Sequence, residues 1–374
     1  MKKKQQQLSP LELEIKKIAK KYVDNKKLKK EDSHNKISII FETFIQELPK
    51  AKLSQYLAYE KIKRNKNLYN TEEQVLYLFT SGMSYEDIAN TIKDIYEKEI
   101  SIDRISSITD ILLPEMEEWK SEKIDNSYPI FYIDGMFFYV KENGVIVKKS
   151  LYFIIAIDWQ GNKKLLGFWI QNSESASNWL DIFSELKTRG LEDVLIISCD
   201  NLSGISQAIE ALFPQTDVQK YLIHQIRNSL LKVSNKDKKD FAYDMKKIYQ
   251  VNWAINQQFA MQNLDEFSKI WGQKYPSIIK SWYDNFAELT TFFKYPNQLR
   301  EAIYTTNSIE SLNKLIRKNT KTNGEIQSVN YLTKIAYLTL RNESIRWLRL
   351  RNWDIIKKQL EIIFPNRLNN VKLN

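Results

Sequence analysis

The chain has 374 residues, 43% of them hydrophobic and 12% aromatic, which suffices for a real core and roughly two or three domains. No run of about eighteen apolar residues occurs, and the start Met1-Lys2-Lys3-Lys4-Gln5-Gln6-Gln7 leads into no apolar stretch, so neither a membrane span nor a secretory signal is expected. The net charge of +10 is uneven: residues 1–70 carry 18 Lys/Arg against 8 Asp/Glu, residues 71–130 carry 5 against 14, and residues 310–374 carry 13 against 5. Two basic ends around an acidic stretch suit a polyanion gripped at more than one place, although Lys-rich solvated helices give the same composition. The single cysteine, Cys199, leaves no intramolecular disulfide and no cysteine-based zinc cluster, and the chain reads as cytoplasmic.

Residues 1–70 read as a basic helical region, with Leu11, Ile15 and Ile18 at helical spacing and a Lys26–Lys30 cluster before a polar turn. Residues 71–127 read as a helix-turn-helix-like domain. Its first helix, Glu73–Ser81, stops at Gly82; Ser84-x-x-Asp87 caps a second, running to Tyr96; Ser101 opens a third with Ile102, Ile105 and Ile108 on one face. Eight acidic against three basic side chains in 72–107 keep a packing or dimerisation module open beside a base-reading one.

From Pro129 the period changes. Strands are predicted over Pro129–Val140, Val145–Asp158 and Lys163–Gln171, separated by Glu142-Asn143-Gly144 and Gln160-Gly161-Asn162 turns. A helix over Ser175–Arg189, a strand over Val194–Cys199, a helix over Gly204–Phe213 and a strand over Val218–Ile223 follow. This β-β-β-α-β-α-β order predicts an α/β fold with an RNase H-like mixed sheet, in which the tips of the first and fourth strands lie side by side. The core spans 128–224 and 305–374. Between them, residues 225–304 form an all-helical insertion, rich in aromatics such as Trp253, Trp271, Trp282, Phe286, Phe292 and Phe293 and broken at Pro276 and Pro296. Amphipathic helices close the chain over 326–364.

Three carboxylates stand out. Asp134 closes the strand-like run from Pro129, Asp200 closes the run from Val194, and Glu310 sits in the first turn of a predicted helix. Mg²⁺ takes a few carboxylates plus waters and phosphate oxygens, and acids from separate elements can flank a pair of such ions for phosphodiester cleavage or transfer. Singly, each acid has a plainer explanation: Asp134 as a turn former before Gly135, Asp200-Asn201 as an Asx turn, Glu310 as the N3 partner of an Asn307 cap. Glu310 shares a helix face with Lys314, Arg317 and Lys321, with Lys318 beside them, while Ile309, Leu312 and Ile316 fall on another face. Such a basic ridge would carry a phosphate backbone past the acids. His224 follows a predicted strand and is a candidate for active-site support, and Arg227 is a candidate phosphate contact.

At these residues the chain resembles the prokaryotic insertion-sequence transposases of the Mutator type. The matching pieces include Gly82-Met83-Ser84 with Ile88, Ser101 with Ser106, Tyr128-Pro129, Asp134-Gly135, and Ser173-Glu174-Ser175-Ala176-Ser177-Asn178-Trp179 with Arg189-Gly190. They continue through Asp200, Gly204-Ile205, Ala208-Ile209, Phe213-Pro214, His224 and Arg227-Asn228. The most specific is Thr305-Thr306-Asn307-Ser308-Ile309-Glu310-Ser311-Leu312-Asn313 with Arg317-Lys318. The resemblance implies an RNase H-like transposase of the Asp-Asp-Glu kind, with Asp134, Asp200 and Glu310 as catalytic metal ligands for two Mg²⁺ ions, Mn²⁺ being able to substitute. It implies double-stranded DNA partners (terminal inverted repeats, bound by the N-terminal helices, and target DNA), a homodimer or larger synaptic complex, and a nucleoid-associated location. The family usually carries Cys or Asp three residues before the histidine, and there the resemblance breaks: this chain has Tyr221. Two other readings are a non-catalytic, domesticated DNA-binding protein and a structure-specific nuclease on the same fold.

Overall fold

The computed structural model describes residues 71–367 apart from 81, 97, 251–253, 305–306 and 321–325. The expected helices of residues 1–70, and Lys321, lie outside the described residues. The chain divides between Ile111 and Leu112 into two compact units.

In the first unit, α1 (Thr71–Thr80), α2 (Tyr85–Tyr96) and α3 (Ile102–Thr109) follow the periodicity of their apolar residues. Val75, Phe79, Ile88, Ile92 and Ile105 are fully buried. The stop and start signals act locally. Gly82 takes φ +93° and returns its N–H to the Phe79 carbonyl, and Ser84 Oγ accepts the Asp87 N–H at 3.1 Å, satisfying an otherwise orphaned first-turn donor. Ser101 caps α3 in the same way through the Arg104 N–H.

The second unit opens with α4 (Leu112–Ser121) and is built on a five-stranded mixed sheet in the order β3-β2-β1-β4-β5. The strands are β1 (Ser127–Glu142), β2 (Val145–Ile157), β3 (Lys163–Gln171), β4 (Asp193–Cys199) and β5 (Asp217–Lys220). β1, β2 and β3 pair antiparallel as the short turns between them require, whereas β4 lies parallel to β1 and β5 parallel to β4. The mixed α/β sheet expected from the element order is therefore present. Asn143 and Gly144 both take positive φ, the geometry that lets a two-residue turn follow the twist of β1 and β2.

One sheet face packs on α5 (Ala176–Thr188) and α6 (Ile205–Leu212), burying Phe131, Ile133, Ile154 and Ile197 against Trp179, Phe183, Ile205 and Ile209. On the other face, Tyr132 Oη and Ser198 Oγ donate to the Ala302 and Ile303 carbonyls of α11 (Asn297–Tyr304). α12 (Asn307–Asn319) packs on β1, and α13 (Val329–Ser344) on β1 and β3. Trp353, first residue of α14 (Trp353–Ile363), is buried and donates to the Trp159 carbonyl.

Between β5 and α11 the described residues are helical: α7 (Leu222–Leu231), α8 (Lys238–Tyr249), α9 (Gln257–Trp271) and α10 (Pro276–Leu289). Pro276 starts α10 at N1, where its missing N–H costs nothing. The predicted strand over Val218–Ile223 is shorter than expected. β4 ends at Cys199, so the ladder ends at Cys199↔Lys220; the Tyr221 N–H takes the Cys199 carbonyl and the chain turns into α7. Without a further strand to pair with, Leu222 and Ile223 become helical.

The loop leaving Asp200 is held by a close backbone approach. Gly204 takes φ +82°, and a Cβ there would lie 2.2 Å from the Ala176 nitrogen at the start of α5. Gly144 has φ +81° but nothing within 4 Å of its would-be Cβ. Gly144→Ala is expected to cost about 1 kcal/mol, the left-handed penalty alone, and Gly204→Ala more than about 3 kcal/mol. Urea unfolding of the two variants checks this; equal costs would refute the contact.

Candidate active site

Asp134 does not end its strand. It sits in the middle of β1, at the level where β4 runs out: parallel pairing stops at Ile133↔Cys199, and the Asp200 N–H reaches the Ile133 carbonyl at 3.3 Å. The neighbour of Asp134 on that side is therefore the loop beginning at Asp200 instead of another strand. The strand predicted over Pro129–Val140 runs through Asp134-Gly135, and pairing with β2 continues through Glu142↔Val145.

Asp134 is 1% exposed. Its Oδ1 accepts the Gly135 N–H at 2.8 Å and its Oδ2 accepts Asn313 Nδ2 from α12 at 2.6 Å. Asp200, half-buried, accepts the Asn201 N–H at 2.7 Å and faces His224 Nδ1 at 2.9 Å, both through Oδ1. Asp134, Asp200 and His224 each offer a ligand atom, all within 4.8 Å of one another. Burial, then the Asp200 charge, pushes the Asp134 carboxyl up to about 6, against the pull of His224 and its two hydrogen bonds. Burial works to lower the His224 value, but the Asp200 hydrogen bond and the two carboxylate charges outweigh it and raise the imidazole.

Glu310 lies outside this three-residue group and pairs with Arg227 Nη1 at 2.7 Å. His224 and Arg227 are three residues apart on α7, as are Glu310 and Asn313 on α12, so each helix presents two groups from one face. The contacts close a circuit: Asp200 to His224, along α7 to Arg227, across to Glu310, along α12 to Asn313, and back to Asp134 beside Asp200. The opposite side of α7 is braced by α10, where Ser229 Oγ accepts from Trp282 Nε1 and Gln225 Nε2 donates to Ser281 Oγ. Arg227, expected as a phosphate contact, is here occupied by Glu310. Lys314, Arg317 and Lys318 are exposed, and Ile309, Leu312 and Ile316 are buried.

Sequence reasoning missed Asn313. Its spacing from Glu310 within the nine-residue motif was the available signal. The donor set suits a divalent cation: two carboxylates and an imidazole, each with a ligand atom within reach of the others. Asn313 Oδ1 is buried with no hydrogen-bond partner. Tyr221 is buried, its hydroxyl without a partner and its ring edge-on to His224, centroids 5.4 Å apart. Burial holds that phenol well above its usual value, with Asp134 adding to the effect.

The Asp134 carboxyl binds its proton more tightly folded than unfolded, so stability declines as pH rises from the ordinary value of 3.8 through about 6. Asp134→Asn keeps the shape without the charge. In chelator it is expected to raise unfolding free energy near neutral pH by up to about 3 kcal/mol and to change it little below about pH 4. Denaturant titrations at both pH values check this; a neutral-pH loss of stability would contradict the buried-charge account.

Residues 48–349 match the family profile described as Transposase, Mutator family. Similar relatives are a probable transposase for insertion sequence element ISRM3-like of Sinorhizobium fredii, 36% identical over 80% of this chain and 74% of its own length, and the transposase for insertion sequence element ISRM3 of Rhizobium meliloti, 35% identical with the same coverage. A probable insertion-sequence transposase of Corynebacterium diphtheriae is 32% identical over 75% of this chain and 81% of its own. With the profile running through both strands that meet at Asp134 and Asp200 and through the Glu310 helix, the chain belongs to the Mutator family of transposases, enzymes that act on DNA.

Proposed function

We propose that this protein is a DNA transposase of the Asp-Asp-Glu kind, cleaving at the terminal inverted repeats of its element and joining the freed 3′-OH to target DNA. The observation that carries the reading is the convergence of Asp134 and Asp200 where β4 ends, with the Glu310 helix tied to Asp134 through Asn313. The order β3-β2-β1-β4-β5, antiparallel on one side and parallel on the other, supports an RNase H-like core interrupted by the helices of 225–304.

Two divalent ions, Mg²⁺ with Mn²⁺ able to substitute, would activate the attacking oxygen and stabilise the leaving one. Asp134 and Asp200 hold the cations, and Glu310 completes the set. His224 and Asn313 orient the two aspartates, fixing which carboxylate oxygens remain open. Arg227 pairs with Glu310, and its guanidinium would suit a phosphate oxygen equally well. Lys314, Arg317 and Lys318 face outward and follow the DNA backbone, with Lys321 continuing the ridge by sequence. The basic 1–70 region and the three helices of the first unit, read as a helix-turn-helix domain, grip the element ends. A homodimer or larger assembly brings two ends together.

Asp134→Ala, Asp200→Ala and Glu310→Ala are expected to abolish Mg²⁺-dependent nicking of an end-containing duplex while leaving duplex binding largely intact. Nicking by Asp200→Ala at the wild-type rate would sink the mechanism, and hydrolysis without strand joining would favour a nuclease. Asn313→Ala, which frees the Asp134 carboxylate to rotate, should slow nicking by about 10- to 100-fold. An unchanged rate would remove Asn313 from the site.

A further inference from the structure

Beyond Asp134, β1 runs on from Gly135 to Glu142 without β4 beside it. The two-stranded ribbon it forms with β2 is anchored on one side and open on the other. Met136, Phe138 and Val140 are buried, and the strand edge is closed by Ile326, which follows the Glu310 helix in the chain: the Lys141 N–H donates to the Ile326 carbonyl at 2.8 Å and the Ile326 N–H to the Tyr139 carbonyl at 3.0 Å. The outward residues of β1 are Phe137, 42% exposed, Tyr139, 60% exposed, and Lys141. Across from them, Lys148 faces Tyr139 and Ile146, 49% exposed, faces Lys141. Lys148 Nζ lies 3.7 Å from the centroid of the Phe137 ring. Residues 136–149 contain one acid, Glu142, which alternation puts on the anchored side, where it pairs with Lys149 at 2.7 Å.

We propose that this outer face is a platform on which unpaired nucleotides of a DNA strand stack; the proposal rests on the transposase reading for DNA as its ligand. Two exposed rings interleaved with two lysines that no ribbon carboxylate neutralises complement a polyanion carrying flat apolar bases. In a duplex the base faces are covered by their neighbours, so exposed rings serve a strand that has lost its partner. A second copy of the same face is the poorer fit, because a two-fold contact would set a face carrying Lys141 and Lys148 against an equally basic copy of itself. Phe137 is three residues from Asp134, about 10 Å along the strand, and alternation puts the two side chains on opposite faces of β1, so the platform would hold a stretch of strand apart from the bond positioned at the acids.

The test compares fluorescein-labelled oligothymidylate with a fully paired hairpin duplex, in chelator, by anisotropy. Phe137→Ala combined with Tyr139→Ala should weaken oligothymidylate binding by at least about tenfold and duplex binding by less than about twofold, with Tyr139→Phe close to wild type. Lys141→Gln with Lys148→Gln, which leaves both rings in place, should flatten the salt dependence of oligothymidylate binding. Unchanged oligothymidylate affinity in the ring variant overturns the platform, and so does a change confined to oligomeric state in sedimentation. Metal-dependent nicking is scored separately on the wild type. If nicking is absent and ring-dependent oligothymidylate binding persists, the transposase reading falls and the platform stands; if nicking holds and the ring variant binds as wild type, the platform alone falls.

Discussion

A carboxylate buried in the middle of a strand is costly unless something takes its charge, and the organisation of the second unit follows from how Asp134 is accommodated. β1 supplies the Gly135 N–H and α12 supplies the Asn313 amide, so the helix that carries Glu310 is joined to the sheet at the acid itself. Two hydrogen bonds do not offset burial and the neighbouring Asp200 charge, and the carboxyl remains raised. That residual strain is what a cation would relieve. A site that binds a divalent ion gains affinity from the electrostatic cost of holding its carboxylates together, at the expense of stability without the ion.

The same logic explains the helical region between β5 and α11. α7 must present His224 and Arg227 toward the acids, yet a ten-residue helix attached at one end to a strand is marginal alone. The buried Ser229–Trp282 and Gln225–Ser281 contacts brace it from behind, and Gln219 extends the bracing to the sheet by donating to the Leu289 carbonyl and accepting the Phe292 N–H. The aromatic core of α8, α9 and α10, with Phe241 packed edge-on against Phe267, Trp271 and Tyr275, makes this brace stiff. Tyr221 belongs to the same arrangement: its ring packs edge-on beside His224.

Much of this was legible in the chain. Strand and helix limits fell within a few residues because period-2 and period-3.6 patterns, Gly stops and Ser caps are local properties, carried by Ser84, Ser101, Gly190 and the Asn143-Gly144 turn. The two aspartates and Glu310 stood out because two close strand-like runs and one opens a predicted helix, the placement that lets acids from separate elements flank a metal pair. What was not legible depends on distant partners. Asp134 lies inside the strand predicted over Pro129–Val140, but only the tertiary pairing shows that β4 stops beside it and leaves it next to the Asp200 loop. Leu222 and Ile223 looked like strand because they are apolar; only the end of β4 at Cys199 denies them a ladder. Asn313 and the Arg227–Glu310 pair join residues 179 and 83 positions apart, a distance no periodicity reports.

By itself, then, the sequence determined the elements, the family and the three carboxylates, since these rest on residue type and near-neighbour spacing. Tertiary structure alone decided that Asp134 and Asp200 share one charge environment with His224, that Glu310 rests on Arg227, and that the ribbon beyond Asp134 turns two aromatic rings and two lysines outward. Each depends on which surfaces the packed sheet covers and which it leaves open, and that is settled only when strands 60 or more residues apart lie side by side.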